Sequence, residues 1–117
     1  MAVTIVGSSV TALSSLLTNA QTGNTYTLAL TDANNTIVEL NNASAIALTV
    51  PLNSSVAFPV GSQITLLQTG AGQVTVAGDG GVTVNATPGL KLRAQWSSAT
   101  LVKRATDTWV LIGDVSA

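Results

Sequence analysis

The chain has 117 residues and a net charge of −1, with no histidine, no cysteine and only 8% charged side chains, where an ordinary soluble domain has about 25%. That length fits one domain with a modest core. The missing residue types remove the usual general base, the thiol nucleophile, disulfide staples and most transition-metal sites, and the charge balance argues against bulk nucleic-acid binding.

Residues 1–24 form a distinct, wholly uncharged opening, separate from a β domain over 25–117. Met1 to Val6 reads as a short strand, with Val3 and Ile5 alternating with Ala2 and Thr4, and Gly7-Ser8-Ser9 breaks it. Val10, Leu13, Leu16, Leu17 and Ala20 then recur at helical spacing behind a potential Ser9 cap, among Ser and Thr residues that form helices poorly. The segment is therefore a short helix or an extended arm, folded onto the domain or docked on a neighbour. Ile5, Leu13, Leu16 and Leu17 are its candidate partner-binding anchors. MAVTIVGSSV has no basic leader, which implies synthesis in a cytoplasm.

Thr25 to Leu30 reads as a strand, followed by a TDANN turn and strands over Ile37 to Leu40 and Ala45 to Val50. Pro51 and Pro59 exclude a central strand between them, so this segment is a loop or an edge. From Gln63, three alternating runs centred on Ile64/Leu66, Val74/Val76 and Val82/Val84 are separated by GAG and GDGG, which read as tight hairpin turns with positive-φ glycines. Beyond the Pro88-Gly89 turn, Leu90, Leu92, Ala94 and Trp96 share one strand face, with Lys91, Arg93 and Gln95 on the other. Leu101-Val102 follows, then a Thr106-Asp107 turn. The continuous apolar run from Trp109 to Ile112 suggests a strand covered on both faces.

About nine to ten short strands with frequent turns fit a small antiparallel β-sandwich or barrel. The alternative is a short β-helix-like trimer, suggested by VTVAGDGGVTVNAT, but no fixed period runs along the chain. Apolar runs are all interrupted before the roughly 18 residues of a spanning helix, and four aromatics do not make the girdles of a membrane barrel, so no membrane partner is expected. No charge falls between Glu39 and Asp79, and so neutral a surface is expected to be covered by further copies or other subunits.

TYTLALTDANNTIVELNNASA, TVPLNSSVAFPVGSQI, QTGAGQVTVAGDGGVTV and KLRAQWSSATLVKRATDTWVLIGDVSA together resemble segments of small virion proteins of tailed bacteriophages, among them head-decoration (capsid cement) proteins and tail-fibre domains. The resemblance implies a virion structural protein made in the bacterial host cytoplasm, commonly a trimer, with the major capsid protein or other virion proteins as partners. Head decoration is the better fit, and a tail-fibre or head-fibre receptor- or glycan-binding domain is the alternative. It implies no cofactor.

The residues agree with a role in contacts and not in catalysis. Asp32, Asp79, Asp107 and Asp114 lie in predicted turns or at a strand end, where Asp serves the backbone, and Glu39 is the single Glu. The lone Asp of GDGG cannot supply the six to eight oxygens of a calcium site. Four Asn-X-Ser/Thr triplets match the glycosylation pattern by chance in so Asn- and Thr-rich a chain. Lys91, Arg93, Lys103 and Arg104 are the only basic residues and fall close together, either as a solvated face or as a patch that meets an acidic lattice or neighbour. For a glycan site the candidates are Trp96, Trp109 and Tyr26, although their strand pattern favours burial.

Overall fold

A computed structural model describes residues 15–117. The first 14 residues, including Ile5 and Leu13 and most of the expected arm or helix, lie outside the described part. Eleven strands follow in order: β1 Leu17–Gln21, β2 Thr25–Thr27, β3 Thr36–Leu40, β4 Ile46–Val50, β5 Gln63–Gln68, β6 Val74–Gly78, β7 Thr83–Asn85, β8 Lys91–Leu92, β9 Ser98–Ala105, β10 Thr108–Gly113 and β11 Val115–Ser116. The described residues contain no α-helix, only a 3-10 turn over Leu30–Ala33.

The all-β expectation holds, but the arrangement is a β-solenoid of about three turns and not an antiparallel sandwich or barrel. From β1 to β9 consecutive strands alternate between two sheets, ordered β1-β3-β5-β9-β10-β7 and β11-β8-β6-β4-β2. Each turn of the chain lays a strand parallel to the one laid a turn earlier: β1 beside β3 and β3 beside β5 in the first sheet, β2 beside β4 and β4 beside β6 in the second. The turns are unequal. Leu17 pairs with Thr36, 19 residues on, whereas Ile37 pairs with Thr65 and Ile46 with Val74, each 28 residues on. Insertions at the corners, above all the loop between Val50 and Gln63, hide the period from any search for a fixed repeat.

The segments read as glycine-turned hairpins are also corrected. β5 and β6 belong to different sheets, and GAG is a corner between them. Neither Gly70 nor Gly72 has positive φ. Their role is close approach: a Cβ on Gly72 would lie 2.6 Å from the Asn42 carbonyl oxygen and closer still to that of Ser44, and one on Gly70 would lie 2.7 Å from the Asn42 nitrogen. The corner stacks on the one beneath, where Asn42 Oδ1 accepts from the Ser44 N–H at 2.8 Å and Gly72 N–H donates to the Asn42 carbonyl at 2.8 Å. In the other turn, Gly81 does adopt a left-handed φ of 96°.

The core lies between the sheets. Alternate side chains point inward and stack rung on rung, Val38 beside Leu66 and Leu48 beside Val76, all of them fully buried. After β6 the pattern ends. β9 runs antiparallel to β5 and forms a true hairpin with β10 through Asp107, at φ 54°, while β8 and β11 add antiparallel strands to the second sheet. Only β9 and β8 run against the coil, and the outermost strands of the two sheets, β7 and β11, run with it again, β7 parallel to β10. Trp109 and Leu111 face the core, but Ile112 is 60% exposed, so the run from Trp109 to Ile112 is covered on one face only.

Gly72→Ala should lower unfolding free energy by about 2 kcal/mol, because backbone atoms of the adjoining corner must move. Gly80→Ala, where a Cβ meets nothing within 4 Å, should change it by less than about 0.5 kcal/mol. Urea denaturation of both variants checks the pair, and equal effects would remove the stacking account.

Candidate contact sites

The first rung differs chemically from those above it. Leu17, Asn19 and Gln21 stand in register with Thr36, Val38 and Leu40, and Tyr26 with Leu48, so they occupy inward positions. Here the interior turns polar. The Asp32 carboxylate, brought in by the 3-10 turn and 1% exposed, accepts from Asn19 Nδ2 at 2.8 Å, the Tyr26 hydroxyl at 2.6 Å and the Ala29 N–H at 2.9 Å. Burial, then the hydrogen bond to Asp32 and its negative charge, push the Tyr26 phenol up to about 12, while Asn19 acts weakly the other way. Leu17, Asn19, Tyr26, Asp32 and Thr36 line a cavity of about 480 Å³. Leu16 and Leu17, two of the expected anchors, are 64% and 60% exposed at this end. Leu17–Gln21 is a strand of the first sheet, so helical spacing misleads over this part of the opening segment.

A second site is the loop carrying Trp96. Its indole is 67% exposed and its backbone left-handed at φ 73°, a conformation bulky side chains avoid. The surroundings hold it there. Trp96 N–H donates to the Gln68 carbonyl at 2.6 Å, Gln95 Nε2 to the Thr69 carbonyl at 3.0 Å, and Ser97 Oγ accepts from the Ala94 N–H at 3.1 Å while donating to Asp114 Oδ2 at 2.7 Å. Arg93 clamps the same Asp114 with two bonds, at 2.8 and 3.0 Å, and this guanidinium, followed by Ser97, holds the Asp114 carboxyl below the usual carboxylate range. The regular alternation from Leu90 breaks after Leu92, so Trp96 faces solvent and not the core. Of the other two aromatics considered for stacking, Trp109 is 1% exposed and Tyr26 half-buried.

The four basic residues do not form one patch. Lys91 lies exposed on the second sheet, Arg93 is paired with Asp114, and Arg104 is exposed on the first sheet. Lys103 faces inward and is 2% exposed: its Nζ donates to Asn53 Oδ1 at 2.6 Å and to the Phe58 carbonyl at 2.7 Å, and lies 5.9 Å from the Trp109 ring centre. Phe58 meets Trp109 edge to face at 5.4 Å. Lys103 thus ties the long corner loop to the hairpin, aided by Asp107 Oδ1, which accepts from the Asn53 N–H at 2.7 Å. Its inward position follows from alternation with Ala99 and Leu101, a signal available in the sequence but masked by its charge.

Among the described residues no group of three His, Cys, Asp or Glu side chains converges to hold a metal. No family model, curated protein or solved structure matches the chain.

Because Tyr26 is the only tyrosine, its ionisation can be followed directly. Phenolate absorbance should show a midpoint near 12 in the folded protein and about 10 in denaturant. Below pH ~10 both states keep the proton and the full contribution is present; between ~10 and ~12 only the unfolded chain releases it, so stability falls as pH rises. Tyr26→Phe should flatten that part of the stability profile. Lys103→Met leaves the Asn53 and Phe58 oxygens without their donor and should cost about 1–3 kcal/mol, with amide exchange rising first over residues 51–62. Unchanged exchange there would mean that the lysine does not hold the loop.

Proposed function

We propose that the chain is a structural protein of a bacteriophage virion, made in the host cytoplasm, that decorates the assembled head and stabilises it. The observation that carries this reading is the pair of exposed leucines, Leu16 and Leu17, at the first rung, with Leu30 also 51% exposed in the turn that follows β2. At the opposite end the two sheets finish in the short strands β7 and β11, and the exposed leucines make the first rung the end suited to seat on another surface. A protein that binds only the assembled lattice favours that lattice by mass action, and needs shape and apolar contact in place of reactive groups.

The alternative, a fibre domain that binds a receptor or glycan, is favoured by Trp96. An exposed indole on a pinned loop offers a flat stacking surface at low entropic cost.

The two readings separate on the virus itself. Leu16→Ser combined with Leu17→Ser should weaken binding to phage heads at least about tenfold, given roughly 1.5–3 kcal/mol per fully buried leucine, while β-type circular dichroism is kept; Trp96→Ala should leave head binding unchanged. Absence of the chain from purified particles would overturn both readings. Loss of host attachment on Trp96→Ala, with head stability intact, would select the fibre domain.

A further inference from the structure

The outer faces of the two sheets differ. On the second sheet the outward positions carry mostly threonine and alanine, such as Thr27, Ala47, Thr49 and Thr75. The outer face of the first sheet is more apolar. Ile37, Thr65, Thr100 and Ile112 form a continuous cross-strand row, and Val102 pairs with Val110 in the next. All are outward, because Val38, Ile64, Leu66, Leu101 and Leu111 between them are buried. At the centre, the Thr65 and Thr100 hydroxyls lie 3.3 Å apart and one donates to the other.

Charge on this face is confined to two residues toward opposite ends of the strands, on β3 and β9 with β5 between them. Glu39 stands near the C-terminal end of β3, in the row with Leu67 and Ser98. Arg104 is exposed near the hairpin end of β9, where the register with β10 shifts, three two-residue steps or about 20 Å away along the strands. Neither forms an ion pair among the described residues.

We propose that the outer face of the first sheet is a twofold interface between two copies of this chain. A twofold axis lying in the face and crossing β5 midway between the two residues carries Glu39 of one copy onto Arg104 of the other and, by the same operation, the reverse. One acid and one base at the ends of an otherwise neutral face are the self-complementary pattern that such an interface requires. Six strands about 4.8 Å apart and mostly about 20 Å long present a footprint of at most roughly 500 Å² per copy, or about 1,000 Å² for the pair, no more than the lower bound for a specific interface. Association is therefore reversible and concentration-dependent. The dimer does not depend on the virion reading, and it replaces the threefold assembly that the resemblance implies with a twofold one.

Sedimentation equilibrium of the full chain, from micromolar to several hundred micromolar, tests the proposal. The wild type should pass from monomer to dimer. Glu39→Arg and Arg104→Glu should each weaken the dimer about tenfold or more, since each substitution acts twice and sets like charges opposite, and the double exchange should restore it to within about threefold. Val110→Asp should abolish it with β-type circular dichroism intact. A monomer throughout the range would overturn the proposal and give the face to a different partner. So would a trimer unaffected by Val110→Asp, or a double exchange no better than the single variants.

Discussion

The fold depends on the registered stacking of aliphatic side chains from one turn of the coil to the next. Val38 beside Leu66, Ile46 beside Val74 and Leu48 beside Val76 are ladders in which each inward side chain is covered by one in the same position a turn later. Parallel pairing makes this possible: neighbouring strands keep the same direction, so a uniform alternation of inward and outward residues yields a continuous apolar column. Backbone hydrogen bonds follow the same direction. The corners must then stack as closely as the strands, which is why Gly70 and Gly72 have room for hydrogen and nothing larger.

A stack of this kind has two ends, and the protein treats them differently. At the last turn the chain reverses and buries Trp109 against Phe58, with the Lys103 ammonium satisfied by a side-chain amide and a main-chain carbonyl. A buried lysine is tolerable there because its donors meet oxygens and a ring face in place of water. At the first rung the apolar column gives way to Asn19, Tyr26 and Asp32, each bonded to another. This network satisfies its own polar groups beside the core, while Leu16 and Leu17 stay in solvent. The contrast between an end built round Trp109 and a first rung with exposed leucines underlies the proposal that particle contact occurs at the first rung.

Exposed surfaces of three kinds are thus spatially separated: an end with exposed leucines, a pinned indole, and a broad sheet face with one acid and one base. A solenoid sets its surfaces at fixed distances, because each is carried on a strand or corner tied to the turns beside it.

Strand positions were legible in the sequence because alternation of apolar and polar residues is a local property: β3, β4, β5, β6 and the β9–β10 turn lie where the pattern places them. The inventory of chemical groups was legible for the same reason. Which strands pair was not, since 19- and 28-residue turns leave no period, and a glycine-rich corner between sheets has the composition of a hairpin turn within one. Nor was the separation of the basic residues, because Lys91 and Arg104 are near in the chain but mounted on different sheets. Trp96 is the sharpest case. Alternation assigned it to the core, and only the tertiary bonds of Gln68, Ser97 and Asp114 turn the loop far enough to set it in solvent. Alternation along a strand is set by neighbouring residues, whereas pairing and loop direction are set by groups distant in the chain that meet only once the coil has formed.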